Sequence, residues 1–233
     1  MKLNPTTRRA RALTLIEVMF VIVALFILGA IWVKRNQRER AKSARISCAG
    51  SLKQIGLAFK VFASDHDDKF PFLVTNSFGF NNVTQAWLHF QAMSNECGSA
   101  KILTCPSDRE RLPHIMSDFG MGTTAKATSL STMSNRAVSY PIGLDGDETQ
   151  PNVILSSDRH LLTNRFNMEG RLFLAHTNGI TPAWTLTQHD GAGNLALSDG
   201  SVQQMTSAGL AAQVAEGQRS LGLTNRLLLP LLP

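Results

Sequence analysis

The chain predicts an α+β protein in which a long N-terminal α-helix, membrane span plus amphipathic half, packs on a C-terminal antiparallel β-sheet domain. Three observations carry this. Leu13 to Val33, LTLIEVMFVIVALFILGAIWV, is apolar almost throughout, and its one charge is Glu17. Downstream, Ile46, Ala49, Leu52, Ile55, Phe59 and Phe62 recur at steps of three and four residues, which is helical spacing. Beyond Ser64, short apolar and β-branched runs alternate with Gly, Asn, Asp and Pro, as strands joined by turns do.

Residues 1–12 form a basic leader with Lys2, Arg8, Arg9 and Arg11 and no acid. Residues 13–33 follow as a transmembrane helix, since 21 residues rising ~1.5 Å each give about 31 Å, the thickness of a bilayer core. A cleaved secretory signal has a shorter apolar core and a small-residue cleavage site, whereas this run meets Lys34, so the span is expected in the mature chain. Lys34, Arg35, Arg38, Arg40, Lys42 and Arg45 crowd behind it, opposed there only by Glu39, and read as a contact with an anionic lipid surface. Counting basic residues on either side favours an outward N-terminus.

Residues 34–63 read as the amphipathic continuation of the same helix, about 75 Å long in all, with Gly29, Gly50 and Gly56 as its weak points. It should stop near Ser64, before the polar SDHDDKFP run and Pro71. In residues 64–233, strands are expected at Lys101 to Thr104, Ala137 to Ile142, Val153 to Ser156, Arg171 to Ala175, Ala183 to Thr187, Asn194 to Leu197 and Ser201 to Met205. Asp199-Gly200 between the last two supplies the positive φ angles of a tight hairpin. Met116 to Asn135 reads as a long loop, Ser207 to Gln218 as a helix and Leu227 to Pro233 as an apolar tail.

Of the formal charge of +6 the leader accounts for four, so the remainder carries only +2 and nucleic acid is not an expected partner. Catalytic signatures are absent: there is no G-x-S-x-G, no G-x-x-x-x-G-K and no H-E-x-x-H, so no enzyme activity is expected. His189, Asp190 and Asp199 have no further ligand at metal spacing, and His189 reads as a structural hydrogen-bonding group at the hairpin. Three cysteines without a C-x-x-C pair argue against a zinc ribbon. Asp65, Asp67 and Asp68 with His66 read as a solvated helix end.

Ala12-Leu13-Thr14-Leu15-Ile16-Glu17 resembles the processing site of type IV prepilins and type II secretion pseudopilins, in which a basic leader precedes a cut and glutamate is the fifth mature residue. The resemblance extends through Ser51 to Pro71, Ile102 to Asp108, Ser139 to Asp145 and Gln188 to Val202. In the last segment His189 and Asp199-Gly200 enclose nine residues, an H-x9-DG pattern. The family has Gly before the cut and Phe or Met after it, where this chain has Ala12 and Leu13.

The resemblance implies a prepilin peptidase that cuts between Ala12 and Leu13 and methylates Leu13, then assembly through Leu13, Thr14 and Glu17. The partners it implies are other pilin-like subunits, alike or different, in a pilus or secretion pseudopilus, with an inner-membrane platform and an ATPase. It places the chain in the cytoplasmic membrane as a single-pass protein with an extracytoplasmic C-terminal domain, overriding the charge count. Calcium is a cofactor expectation for the oxygen-rich loop holding Asp145, Asp147 and Glu148, against a plain solvated turn. Cys97 with Cys105 can close a small loop; Cys48 with Cys105, which lies in a matching segment, is the alternative, and reduced thiols are the third. Two functional rivals stand beside the filament subunit: a membrane-tethered binding or adhesion module that never polymerises, and a membrane-anchored hydrolase or metal enzyme.

Overall fold

A computed structural model describes residues 15–74, 85–120, 125–162, 166–167, 172–174, 182–222 and 225–230. Ala12, Leu13 and Thr14 lie outside these described residues. Helix α1 runs from Leu15–Ser64 without a break, so neither Gly29 nor Gly50 interrupts it. The chain divides into two compact units, Met1–Lys42 and Ser43–Pro233.

The described residues of the first unit, 15–42, are the forward part of α1, and its apolar side chains are exposed: Phe20, Phe26 and Trp32 are 71, 76 and 67 % accessible. It is long and apolar enough to cross a membrane.

In the second unit α1 buries Cys48, Leu52, Ile55, Phe59 and Phe62 on one face, while Ile46, Leu57 and Val61 face outward. Ile46 therefore does not belong to the expected stripe. Three successive steps of three fall behind a turn of about 3.6 residues, which carries Ile46 roughly 180° around from Ile55. Asp67 and Asp68 close the helix in the left-handed conformation, and Phe70, followed by Pro71, turns back into the core. Its ring meets Phe59 edge-on at 5.8 Å, and Phe59 meets Phe90 at 6.4 Å.

Two short helices follow, α2 (Ala86–Ala92) and α3 (Ser94–Cys97). The expected strand at Lys101 to Thr104 is instead a 3-10 turn, Ala100–Leu103, capped by the Ser99 side chain. Four residues are too few to separate the two periods, and burial of Ala100 and Leu103, three apart, selects the helical one. The stretch expected as a loop ends in α4 (Leu130–Met133) and a second 3-10 turn, Ser134–Ala137, because Leu130 and Ala137 are drawn into the core. That turn also shortens the expected strand from Ala137: the ladder begins only at β1 (Ile142–Gly143), after Pro141, which has no N–H to donate.

Next come β2 (Ile154–Ser157), β3 (Leu161–Leu162), β4 (Phe166–Asn167), β5 (Leu172–Leu174) and β6 (Ala183–Trp184). The run expected to extend to Thr187 stops at Trp184, since the Thr185 hydroxyl caps α5 (Leu186–His189) by accepting from Thr187 N. The hairpin β7 (Ala192–Leu197) and β8 (Val202–Thr206) leads into α6 (Ser207–Leu221), capped by Thr206 and closed by Gly222 in the left-handed region. The apolar tail contributes β9 (Arg226–Leu228).

The main sheet has the order β4-β5-β9-β1-β2-β7-β8, antiparallel at every pairing, with β3 and β6 as a separate pair. Side chains alternate across it. Leu155, Ala196 and Leu228 join the core that includes α1, whereas Ile154, Leu195, Leu197 and Leu227 join a second core with Leu210 and Val214 of α6. The sheet is thus the middle of three layers, and β9 sits inside it because Leu227 and Leu228 serve opposite faces. At Gly143, added side-chain atoms would strike Ile154 O at 1.8 Å, so only glycine permits β1 and β2 to approach as they do.

His89 on α2 is buried, and neither ring nitrogen has a hydrogen-bond partner among the described residues. Burial pushes its pKa down from 6.5 to about 4. The unfolded chain therefore binds the extra proton below about pH 6.5, and stability falls as pH drops from there toward 4. Chemical denaturation should find His89 contributing a loss of about 2 kcal/mol between pH 7 and pH 5. His89→Gln should reduce the slope by that share, His189 keeping its own over the same range, and an unchanged slope would contradict this protonation.

Candidate functional site

Two regions carry functional side chains, one in each compact unit. In the first, Glu17 lies in the opening turn of α1 and is exposed amid Leu15, Ile16, Val18 and Phe20. It is the one acid between Leu15 and Arg38. At about 100° per residue, Lys34, Arg35, Arg38 and Lys42 fall within roughly one 100° arc of the helix, while Arg40 points elsewhere. They line a shallow groove with Ile31 and Glu39, and Glu39 pairs with Lys42 at 3.5 Å. A basic stripe directly behind an apolar helix suits phosphate head groups.

In the second unit, the face of α1 reaches a buried polar cluster through a disulfide. Cys48 on α1 is bonded to Cys105, with Cα atoms 5.1 Å apart. The pairing of Cys97 with Cys105 is not formed: Cys97, at the end of α3, is buried and free, and burial, helped by the charge of Glu96, pushes its thiol up to about 12. The disulfide joins residues 57 apart, for which loop closure in the unfolded chain is worth about 4 kcal/mol.

His189 lies against this bond, its Nε2 3.9 Å from Cys105 Sγ and 3.4 Å from Asp158 Oδ2. It is presented by the C-terminus of α5, after which Asp190 and Gly191 both take positive φ to enter β7. Asp158, just past β2, is 1 % exposed; its Oδ2 accepts from Asn194 N at 2.7 Å and Nδ2 at 3.0 Å. Burial raises the Asp158 pKa to about 7, although the Asn194 hydrogen bonds pull it down, and burial lowers that of His189 to about 4. Arg45 of α1 is near enough for its charge to act on both. Tyr140 Oη donates to Cys48 O at 3.4 Å.

The neighbouring network fastens the segment after Cys105. Arg159 grips buried Asp108 with two hydrogen bonds, Nε to Oδ2 at 2.6 Å and Nη2 to Oδ1 at 2.9 Å, and also reaches Glu110. Burial pushes the Asp108 carboxyl up, but hydrogen bonds from Arg159, His160 and Ser139 outweigh it and hold the group well below the carboxylate range. Arg111 donates to Pro230 O at 2.7 Å, tying in the chain beyond β9.

Asp145, Asp147 and Glu148 each have a different partner. Asp145 accepts from Arg226 N and side chain, Asp147 Oδ1 from Thr149 N at 2.8 Å, and Glu148 pairs with Lys60 at 2.8 Å. A calcium ion at this loop would have to displace those contacts. The hairpin also differs from expectation: Gly200 has φ +79, but Asp199 stays at negative φ and caps the turn by accepting from Ser201 N at 2.7 Å. Gly200 O accepts from Lys53 Nζ at 2.7 Å, so the turn abuts α1 beside Gly56.

His189 therefore belongs not to the hairpin turn but to the far end of β7, where it meets the disulfide and Asp158. Asp158, Arg159 and Asp108 were not singled out from the sequence, and Arg45, expected at a lipid surface with the basic run, lies instead close to this cluster. The signal for Asp158 and Arg159 was the SSDRH run, Ser156 to His160, in which charges follow directly on a strand buried throughout. With both Cys48 and Cys105 sulfurs bonded to each other, the His189–Asp158 pair has no thiolate to activate. Comparison with models of protein families, with curated proteins and with solved structures finds no match to this chain.

Removing Arg159 would strand a buried carboxylate, which costs about 3 to 5 kcal/mol when one member of a buried pair is lost. Arg159→Ala should therefore lower stability by about that amount at neutral pH, with less effect below about pH 3.8, where unfolded Asp108 is protonated. Asp108→Asn added to Arg159→Ala should recover part of the loss in a double-mutant cycle; additive losses would show the pair to be uncoupled.

Proposed function

We propose that this chain is a structural subunit of a pilus-like or secretion-pseudopilus filament, anchored in the cytoplasmic membrane and assembled through the forward part of α1. The observation that carries the reading is Glu17 standing alone in an exposed apolar helix five residues after a basic leader. A charge inside a membrane helix costs roughly 2.5 to 3.5 kcal/mol, so an isolated one calls for a partner. Cleavage after Ala12 would create a charged amine on Leu13, and Glu17 of one subunit would pair with the amine of its neighbour. That pairing neutralises both charges and fixes the axial offset while the faces from Leu15 to Ile31 pack helix against helix.

Two further features support it. The Cys48–Cys105 disulfide suits an oxidising compartment for the globular unit. The exposed stripe of Ile46, Leu57 and Val61 leaves the rear of α1 free to meet neighbours as the front does. Lys34, Arg35, Arg38 and Lys42 would rest among anionic head groups before assembly.

Glu17→Leu should leave membrane insertion intact and abolish incorporation into filaments, read by fractionation and cross-linking; normal incorporation would refute the pairing. N-terminal sequencing of the mature protein should return methylated Leu13. A chain that begins at Met1 and stays monomeric would instead make it a tether for the globular unit.

A further inference from the structure

We propose that, once its disulfide is reduced, the protein holds a zinc-type divalent cation in the same place, ligated by Cys48 Sγ, Cys105 Sγ, His189 Nε2 and the Asp158 carboxylate. Metal and disulfide would then be alternative cross-links between α1 and the segment around Cys105. This inference is independent of the filament reading and concerns the globular unit alone.

Three of the four ligands are already gathered. One ligand atom each from Cys48, Cys105 and His189 lies within 4.8 Å of the others, and no other such group of three occurs among the described residues. Tetrahedral zinc with bonds of about 2.3 Å to sulfur and about 2.0 Å to nitrogen and oxygen sets sulfur about 3.6 Å from nitrogen and nitrogen about 3.3 Å from oxygen. Here Cys105 Sγ lies 3.9 Å from His189 Nε2, and that nitrogen lies 3.4 Å from Asp158 Oδ2. Asp158 stands outside the three that already meet, so completing the site takes parting of the two sulfurs to about 3.8 Å once their bond is broken and an approach of the Asp158 carboxylate to them.

Asp158 supplies the second observation. The oxygen nearest His189 is Oδ2, which Asn194 already holds, whereas Oδ1 is buried with no hydrogen-bond partner among the described residues, so a turn of the carboxylate would free one oxygen for the metal. A carboxylate 1 % exposed with one oxygen unused is poorly accounted for by the disulfide form. Charge also balances: two thiolates and a carboxylate around a dication leave one negative charge, with Arg45 nearby. Thiolate and imidazole donors favour zinc over calcium or magnesium.

The chemistry is a two-electron exchange followed by ligation. A dithiol reductant attacks the Cys48–Cys105 bond, passes through a mixed disulfide and leaves as its own cyclic disulfide, giving two protein thiols. The dication then replaces the two thiol protons, which pass to solvent, while neutral His189 and ionised Asp158 each donate a lone pair.

The test uses the full chain in detergent, reduced with a small dithiol, freed of it, and titrated with zinc or cobalt alone. We expect one zinc per reduced chain by native mass spectrometry, none per oxidised chain, and a rise in the melting temperature of the reduced form on adding zinc. Cobalt should give the intense visible bands of a tetrahedral site with thiolate charge transfer. His189→Ala and Asp158→Asn should each weaken zinc binding by tenfold or more, and His189→Cys should restore it. Failure of the reduced wild type to bind, uptake without a rise in melting temperature, octahedral cobalt bands, or unchanged affinity in both variants would overturn the proposal.

Discussion

Leu52, Ile55, Phe59 and Phe62 leave water together along one face of α1, and the globular unit is arranged to receive them. Full burial of side chains of this size is worth about 1.5 to 3 kcal/mol each, so this face is a large share of what opposes chain entropy. The same face is fixed at both ends by polar contacts. Cys48 is bonded to Cys105 near one end, and Lys60 pairs with Glu148 near the other, with Lys53 bound to the Gly200 turn between them. Remove the stripe and the sheet loses one of its two cover layers.

One helix thus has two characters. Its front is apolar on every side but for Glu17; its rear buries one apolar face in the globular unit. A helix that leaves a bilayer for a folded domain has to keep its backbone hydrogen bonds across the interface. A continuous helix does so by satisfying every N–H internally on both sides. The basic stripe of Lys34, Arg35, Arg38 and Lys42 sits where the character changes.

Beneath the disulfide, buried charge is organised in pairs rather than dispersed. Arg159 neutralises Asp108, while Asp158 depends on Asn194, His189 and the nearby charge of Arg45. Such clusters are costly unless satisfied, which is why the unused Oδ1 of Asp158 stands out. The cluster couples the segment after Cys105, the end of β2 and the start of β7 to α1, so a change in the Cys48–Cys105 bond would be felt by all four.

Much of this was legible in the chain. The length of α1, the hairpin of β7 and β8, β2 and α6 each have a period that one burial pattern explains, and Thr206 and Gly222 mark the ends of α6. The 3-10 turn at Ala100–Leu103, α4, α5 and the central place of β9 were not legible. Those segments are short, and whichever neighbour buries their few apolar residues selects their conformation. The candidate site divides in the same way. Glu17 and the basic run are local features of composition, but Cys48, Cys105, His189 and Asp158 come from four separate stretches. The sequence by itself determined the continuous helix, its change of character and the α+β class, because these follow from periodicity along the chain. Only the tertiary structure decided which cysteines meet, which charges are buried together and where β9 inserts, because those depend on contacts between residues that no local spacing relates.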